Sequence, residues 1–184
     1  MLISWLRQPL AVAVLLLASG CLRPVTPHAD RADQPALDPI LFFTGRTHGE
    51  GTLDTRFSGR RSLTVEGNGV AESDGGFRLD QTVTFADGAV EKRSWNMHRI
   101  DATHYAGSLS DAKGEMSGEA GGNLFRLRYL LRQPAVYMEQ SLYLQPDGRT
   151  VLNFATVTVM GVPFARLSER IVKACTSGTC TPAR

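Results

Sequence analysis

The stretch Phe77-Arg78-Leu79-Asp80-Gln81-Thr82-Val83-Thr84-Phe85, followed by Ala86-Asp87-Gly88, decides the fold class. Phe77, Leu79, Val83 and Phe85 recur with a period of two, and Arg78, Asp80, Thr82 and Thr84 occupy the alternate positions. Successive side chains of a strand point to opposite faces, so this segment has one apolar face and one wet face. Asp87-Gly88 then supplies residues that tolerate the positive φ angles of a tight hairpin.

The same pattern returns downstream. Phe125, Leu127, Tyr129 and Leu131 face one way, with Arg126 and Arg128 on the other side, and Val136, Met138, Leu142 and Leu144 repeat it. Turn signals recur at short spacing: Ser73-Asp74-Gly75-Gly76, Ile100-Asp101-Ala102-Thr103, Asp111-Ala112-Lys113-Gly114, Gly121-Gly122-Asn123, Gln133-Pro134, Pro146-Asp147-Gly148 and Met160-Gly161-Val162-Pro163. No amphipathic helix is present between Phe42 and Lys173, and no connection is long enough for a parallel crossover. A sheet that is apolar on one side must bury that side, and with no helices to cover it the sheet closes on itself. The expectation is an all-β, antiparallel, up-and-down barrel of roughly 8 to 10 short strands. A transmembrane barrel is disfavoured, because the strand aromatics are scattered rather than gathered into girdles at both rims.

The first 20 residues read as a signal peptide. Arg7 precedes an apolar or small run from Leu10 to Ser19, which is too short to span a bilayer and ends in Leu17-Ala18-Ser19-Gly20-Cys21. Small residues ahead of a Cys resemble the bacterial lipobox, with Ala18 standing where Leu is commonest. Cys21 is therefore the expected lipidation site, and the lipid anchor the expected link to the membrane. Leu22, rather than Asp, after the Cys implies by the same resemblance the outer membrane, with the chain facing the periplasm. Residues 21–39 carry Pro24, Pro27, Pro35 and Pro39 without periodicity and read as an extended tether. The barrel is assigned to residues 40–173. In the tail, 174–184, Cys175 and Cys180 form the expected disulfide of an exported protein, since no His or carboxylate lies near enough in sequence to favour a metal.

Several segments together resemble an uncharacterised family of Gram-negative lipoproteins. They are Phe42-Phe43-Thr44-Gly45, Gly49-Glu50-Gly51, Thr84-Phe85-Ala86-Asp87-Gly88, Arg93-Ser94-Trp95, Tyr105-Ala106-Gly107, Asp111-Ala112-Lys113-Gly114, Gly121-Gly122-Asn123 and Leu152-Asn153. The resemblance implies a lipocalin-like barrel at the cell envelope and supplies no activity. The Cys-containing tail departs from the family pattern.

A formal net charge of +2 over 184 residues predicts no strong attraction to nucleic acid or to acidic membrane surfaces. Arg93 and Trp95 lie two apart and share a strand face, where an Arg over an indole would be a packing feature or a head-group contact. Tyr129 stands out among Tyr105, Tyr129, Tyr137 and Tyr143 because its face is otherwise apolar. With Phe85 and Met138, these give a candidate ligand site of Arg93, Trp95, Tyr129, Phe85 and Met138 in a wall that also includes Phe77, Leu79, Val83, Phe125, Leu127, Leu142 and Phe154. His98, His104 and Asp101 lack the convergence of a metal site, Glu50 and Asp54 belong to a wet face, and no Gly-x-Ser-x-Gly elbow is present. The reading is a non-catalytic carrier of a fatty acid or other amphiphilic small molecule, without cofactor, metal or nucleic-acid partner. The first rival is a filled barrel that docks envelope proteins, and the second a lipid-modifying enzyme.

Overall fold

The computed structural model describes residues 34–174. Ten strands follow one short helix: α1 (Pro39–Phe43), then β1 (Gly45–Thr55), β2 (Gly59–Ala71), β3 (Gly76–Phe85), β4 (Val90–Arg99), β5 (His104–Leu109), β6 (Glu115–Gly121), β7 (Leu124–Arg132), β8 (Val136–Leu144), β9 (Thr150–Val159) and β10 (Val162–Lys173). Each strand pairs antiparallel with its neighbour in sequence. The ring closes through β1 and β10, from Thr47 opposite Lys173 to Thr55 opposite Ala165. Every turn expected from the sequence falls between strands; the one not anticipated is Arg56-Phe57-Ser58, between β1 and β2.

The apolar face turns inward along every strand. Leu63 and Val65 on β2, Phe77, Leu79, Val83 and Phe85 on β3, and Phe125, Leu127 and Tyr129 on β7 are buried, while Arg78, Asp80, Arg126 and Arg128 are exposed. This is the reverse of a membrane-spanning barrel, which presents its apolar side outward. Burying one large apolar side chain contributes about 1.5–3 kcal/mol, so the inner face supplies the driving force for closure. Outside, charged residues pair across the ladder, as Arg128 does with Glu139 at 3.2 Å.

One end is covered by α1. Asp38 caps it, its Oδ1 accepting from the backbone N–H groups of Ile40 (3.0 Å) and Leu41 (3.1 Å), and Pro39 occupies the first turn, where its missing donor is harmless. Phe42 and Phe43, in edge contact at 4.9 Å, are buried in the barrel mouth. The helix is tied to several points on the rim. Arg99 pairs with Asp38 (2.5 Å), Lys173 Nζ donates to Leu41 O (2.6 Å), and Leu37 N–H donates to Gly122 O (2.9 Å). Gly69 allows the closest approach: a Cβ there would overlap the Phe43 carbonyl. Leu37 and Pro39, read from sequence as tether, are thus buried parts of the plug.

Candidate functional site

Alternation along the strands is interrupted at one level of the barrel by polar residues that point inward. On β3 and β4, Gln81 and Arg93 stand opposite each other; on β9 and β10, Asn153 and Glu169 do the same; β8 contributes Gln140. Gln81 Oε1 accepts from Arg93 Nε (3.0 Å) and from Trp95 Nε1 (2.7 Å). Asn153 Nδ2 donates to Glu169 Oε2 (3.0 Å), and Asn153 Oδ1 is buried with no partner among the described residues. Gln140 Nε2 donates to the Tyr129 hydroxyl (2.7 Å), which donates in turn to Met138 Sδ (2.9 Å). Gly49, on β1, leaves the space that the Glu169 carboxylate occupies.

Burial governs the electrostatics of this belt. It pushes the Glu169 carboxyl above the ordinary carboxylate range, against the opposing pull of the Asn153 hydrogen bond and the nearby Arg93 charge. It pushes the Tyr129 hydroxyl up to about 12, with Arg93 and the Gln140 bond again opposing. One guanidinium therefore sits among groups that burial holds towards neutrality.

A cavity of about 40 Å³ lies between the belt and the plug. Its polar lining is Gln81, Arg93, Gln140, Asn153 and Glu169; Phe43, Phe77, Met97, Phe125 and Ile171 are among its apolar walls. At 10–15 Å³ per water centre it has room for about three waters. Drug-sized ligands occupy pockets of roughly 300–1,000 Å³, so the interior is mostly filled by side chains.

Arg93 and Trp95 both line this cavity, but they meet through Gln81, not by stacking of the guanidinium on the indole. The indole makes an edge contact with Tyr129 across the barrel at 5.4 Å. Tyr129 and Met138 belong to the interior beside Gln140 without lining the cavity. Phe85 is buried near the far end of β3, with the Arg61 guanidinium 4.1 Å from its ring centre. Phe154 is not part of the inner wall. It lies on the outer face against Tyr143, because Asn153 and Ala155 take the inward positions on β9. Tyr105 is inside and Tyr137 outside, the latter beneath Arg128. Backbone N–H bonds from Thr103 and His104, joined by a 2.9 Å contact from the His104 ring, hold the Asp101 carboxyl at about 2. Among the described residues, no three His, Cys, Asp or Glu side chains converge as metal ligands. Cys21, Cys175 and Cys180 lie outside the described residues.

Gln81, Gln140, Asn153 and Glu169 were not anticipated from the sequence. The available signal was a single polar residue on an otherwise apolar face, with apolar neighbours two positions away on both sides: Leu79 and Val83, Met138 and Leu142, Val151 and Ala155, Leu167 and Ile171.

Fold and belt define a closed, ten-stranded β-barrel with a polar cluster embedded in its apolar core. The chain belongs to the DUF3833 family, a family of proteins of unknown function, whose pattern it matches over residues 15–173. No curated protein matches the sequence. Among solved structures it resembles the S-type phycobiliprotein lyase CPES from Guillardia theta, with a TM-score of 0.59 at 7% identity over 75% of this chain and 92% of that one. It also resembles a protein of unknown function of the DUF3598 family from Nostoc punctiforme PCC 73102, with a TM-score of 0.57 at 13% identity over 82% of this chain and 53% of that one. The matched region is about half the length of the Nostoc protein. At these identities the shared property is the fold.

Proposed function

We propose that this protein is a binding barrel of the cell envelope that takes a small amphiphilic molecule, with its polar group towards Arg93 and its apolar part beside Phe77 and Phe125, in space that Phe43 now fills. The observation that carries the reading is the polar belt. Gln140, Asn153 and Glu169 are buried and Gln81 and Arg93 half-buried, and holding this many hydrogen-bonding side chains in an apolar core costs stability, so a barrel built only to be filled has no use for them. Similarity of fold to a phycobiliprotein lyase is compatible with a ligand-handling barrel and says nothing about which ligand this chain takes. A fatty acid or other lipid is the proposed class, because Arg93 suits an anionic head and the walls suit an acyl chain. In the same reading Cys21 carries the lipid anchor, the barrel faces the periplasm from the outer membrane, and Cys175 and Cys180 close a disulfide in the tail.

The small enclosed volume favours a second reading, a filled barrel that serves as a docking scaffold. Mass spectrometry of small molecules co-extracted with the purified protein separates the two: a bound amphiphile at near-equimolar amount supports the carrier, and an empty barrel that co-purifies with a protein supports the scaffold. With a ligand in hand, Arg93→Ala weakens anionic amphiphiles more than neutral ones; equal loss rejects the head-group role. Cys21→Ala abolishes labelling by a fatty-acid probe, and unchanged labelling rejects that anchor.

A further inference from the structure

The end of the barrel opposite α1 has exposed apolar side chains on adjoining hairpins. Phe57, at the apex of the β1–β2 turn, is 80% exposed, and Met160, in the β9–β10 turn, is 78% exposed. Val162 and Phe164 continue the patch, with Phe164 in edge contact with Phe57 at 5.8 Å. Backbone bonds join the hairpins: Arg56 N–H donates to Phe164 O, and Met160 N–H donates to Ala135 O in the β7–β8 turn (both 2.9 Å). Met160 holds φ at 49°, a left-handed conformation in which a long apolar side chain is disfavoured. Folding alone gains nothing from exposing methionine there.

The hairpins that carry this patch are mostly cationic, while the adjoining β3–β4 hairpin brings Asp87, Glu91 and Lys92 to the same end. Residues 54–61, 132–136 and 159–166 contain Arg56, Arg60, Arg61, Arg132 and Arg166, against the single carboxylate of Asp54. Asp54 lies 3.8 Å from Arg60, and Arg61 reaches Asp87 on the next hairpin. The chain's small net charge conceals this local concentration. Bulky apolar residues on convex hairpin tips, ringed by arginine, are the chemistry of a surface that dips into a lipid interface while its cations meet anionic head groups. We propose that this tip docks on an anionic lipid bilayer, with Phe57 and Met160 inserted at head-group level. The contact is independent of the interior cavity. It also lies at the end opposite α1 and the residues just before it, of which Leu37 bonds to Gly122 on the other rim.

The test places an indole at the tip of the full chain by Phe57→Trp in a Trp5→Phe background, with Ile100→Trp at the other end as the control and the Trp5→Phe parent, which keeps the buried Trp95, as the reference spectrum. Phe57 and Ile100 are both exposed, so neither change disturbs the core, and circular dichroism confirms the barrel. Vesicles containing phosphatidylglycerol shift the Phe57→Trp emission to the blue, phosphatidylcholine vesicles do not, and Ile100→Trp stays unshifted with both. Each arginine neutralised near an anionic surface weakens partitioning about fivefold, so Arg56→Gln with Arg166→Gln weakens it roughly 25-fold. No shift with anionic vesicles, equal shifts with neutral ones, or equal shifts at both ends overturns the proposal. So does a vesicle-independent shift that grows with protein concentration, which would make a second copy the occupant.

Discussion

Replacing Gln81 by Met keeps the length of the side chain and removes the one oxygen shared by Arg93 and Trp95. In the folded barrel that oxygen lies 3.0 Å from Arg93 Nε and 2.7 Å from Trp95 Nε1, and the apolar neighbours Leu79 and Val83 offer no substitute. Each donor left without a partner inside costs about 1–3 kcal/mol, and Arg93, being half-buried, can recover part of its share from solvent. The expected loss for Gln81→Met is therefore about 2–4 kcal/mol, a fall in melting temperature of roughly 5–15 °C for a domain of this size. Urea unfolding followed by far-ultraviolet circular dichroism measures it without depending on the indole. The decisive arm is the double variant with Trp95→Phe, in which the donor left stranded by Gln81→Met is itself removed. Its cost falls short of the sum of the two single variants by about 1 kcal/mol. Strict additivity, within about 0.5 kcal/mol, refutes a shared hydrogen bond, and a Gln81→Met cost below about 0.5 kcal/mol refutes the belt as a structural unit.

Glu169→Gln removes a buried carboxyl whose folded-state pKa is raised. Between the ordinary carboxylate pKa and the folded value the native state binds the proton more tightly than the unfolded chain, so wild-type stability falls as pH rises through that window, and the variant's stability curve is flatter there. A denaturation series across acidic to neutral pH with parallel curves for the two proteins would contradict this. Asp38→Ala takes away the cap of α1 and the partner of Arg99, and costs about 1 kcal/mol in chemical unfolding. Gly69→Ala drives a Cβ into the Phe43 carbonyl and costs about 1–3 kcal/mol; hydrogen exchange accelerates first in residues 37–44, whereas uniform acceleration around the barrel would argue against a local detachment of the plug.

The barrel was legible in the sequence because closure follows from two local regularities, a period of two and frequent turns, and both survive in any single strand such as Phe77–Phe85. The belt was not. Period-two reading records the apolar positions, and Gln81 sits unremarked among them, in the very stretch that shows the fold. Even with the four polar exceptions noted, their convergence depends on register: Gln81 meets Arg93, and Asn153 meets Glu169, only because hairpin lengths and the irregularity between Pro163 and Ala165 set those pairings. Nothing short-range encodes that. The plug escaped for another reason. Five residues are too few to show helical periodicity, and Asp38-Pro39, a cap followed by a first-turn proline, looks from sequence like one more piece of a proline-rich tether.

The same geometry decides what a ligand must do to bind. About 40 Å³ holds a few waters and not an acyl chain, so any larger guest takes its space from a side chain now lining the cavity. Strand residues of that lining are fixed by continuous ladders on both flanks, and moving them breaks many hydrogen bonds at once. Phe43 is different. It belongs to a single helical turn held at the rim by a cap, one ion pair and a few backbone acceptors, most of which are close to solvent. Local opening follows the elements with the fewest buried contacts and the most exposed hydrogen bonds, so guest and plug compete for one volume. Occupancy of the interior by such a guest would thereby be coupled to the position of α1 and of residues 34–38. In a barrel whose ten strands are continuously paired, α1 is, among the described residues, an element through which binding inside can register outside without opening the sheet.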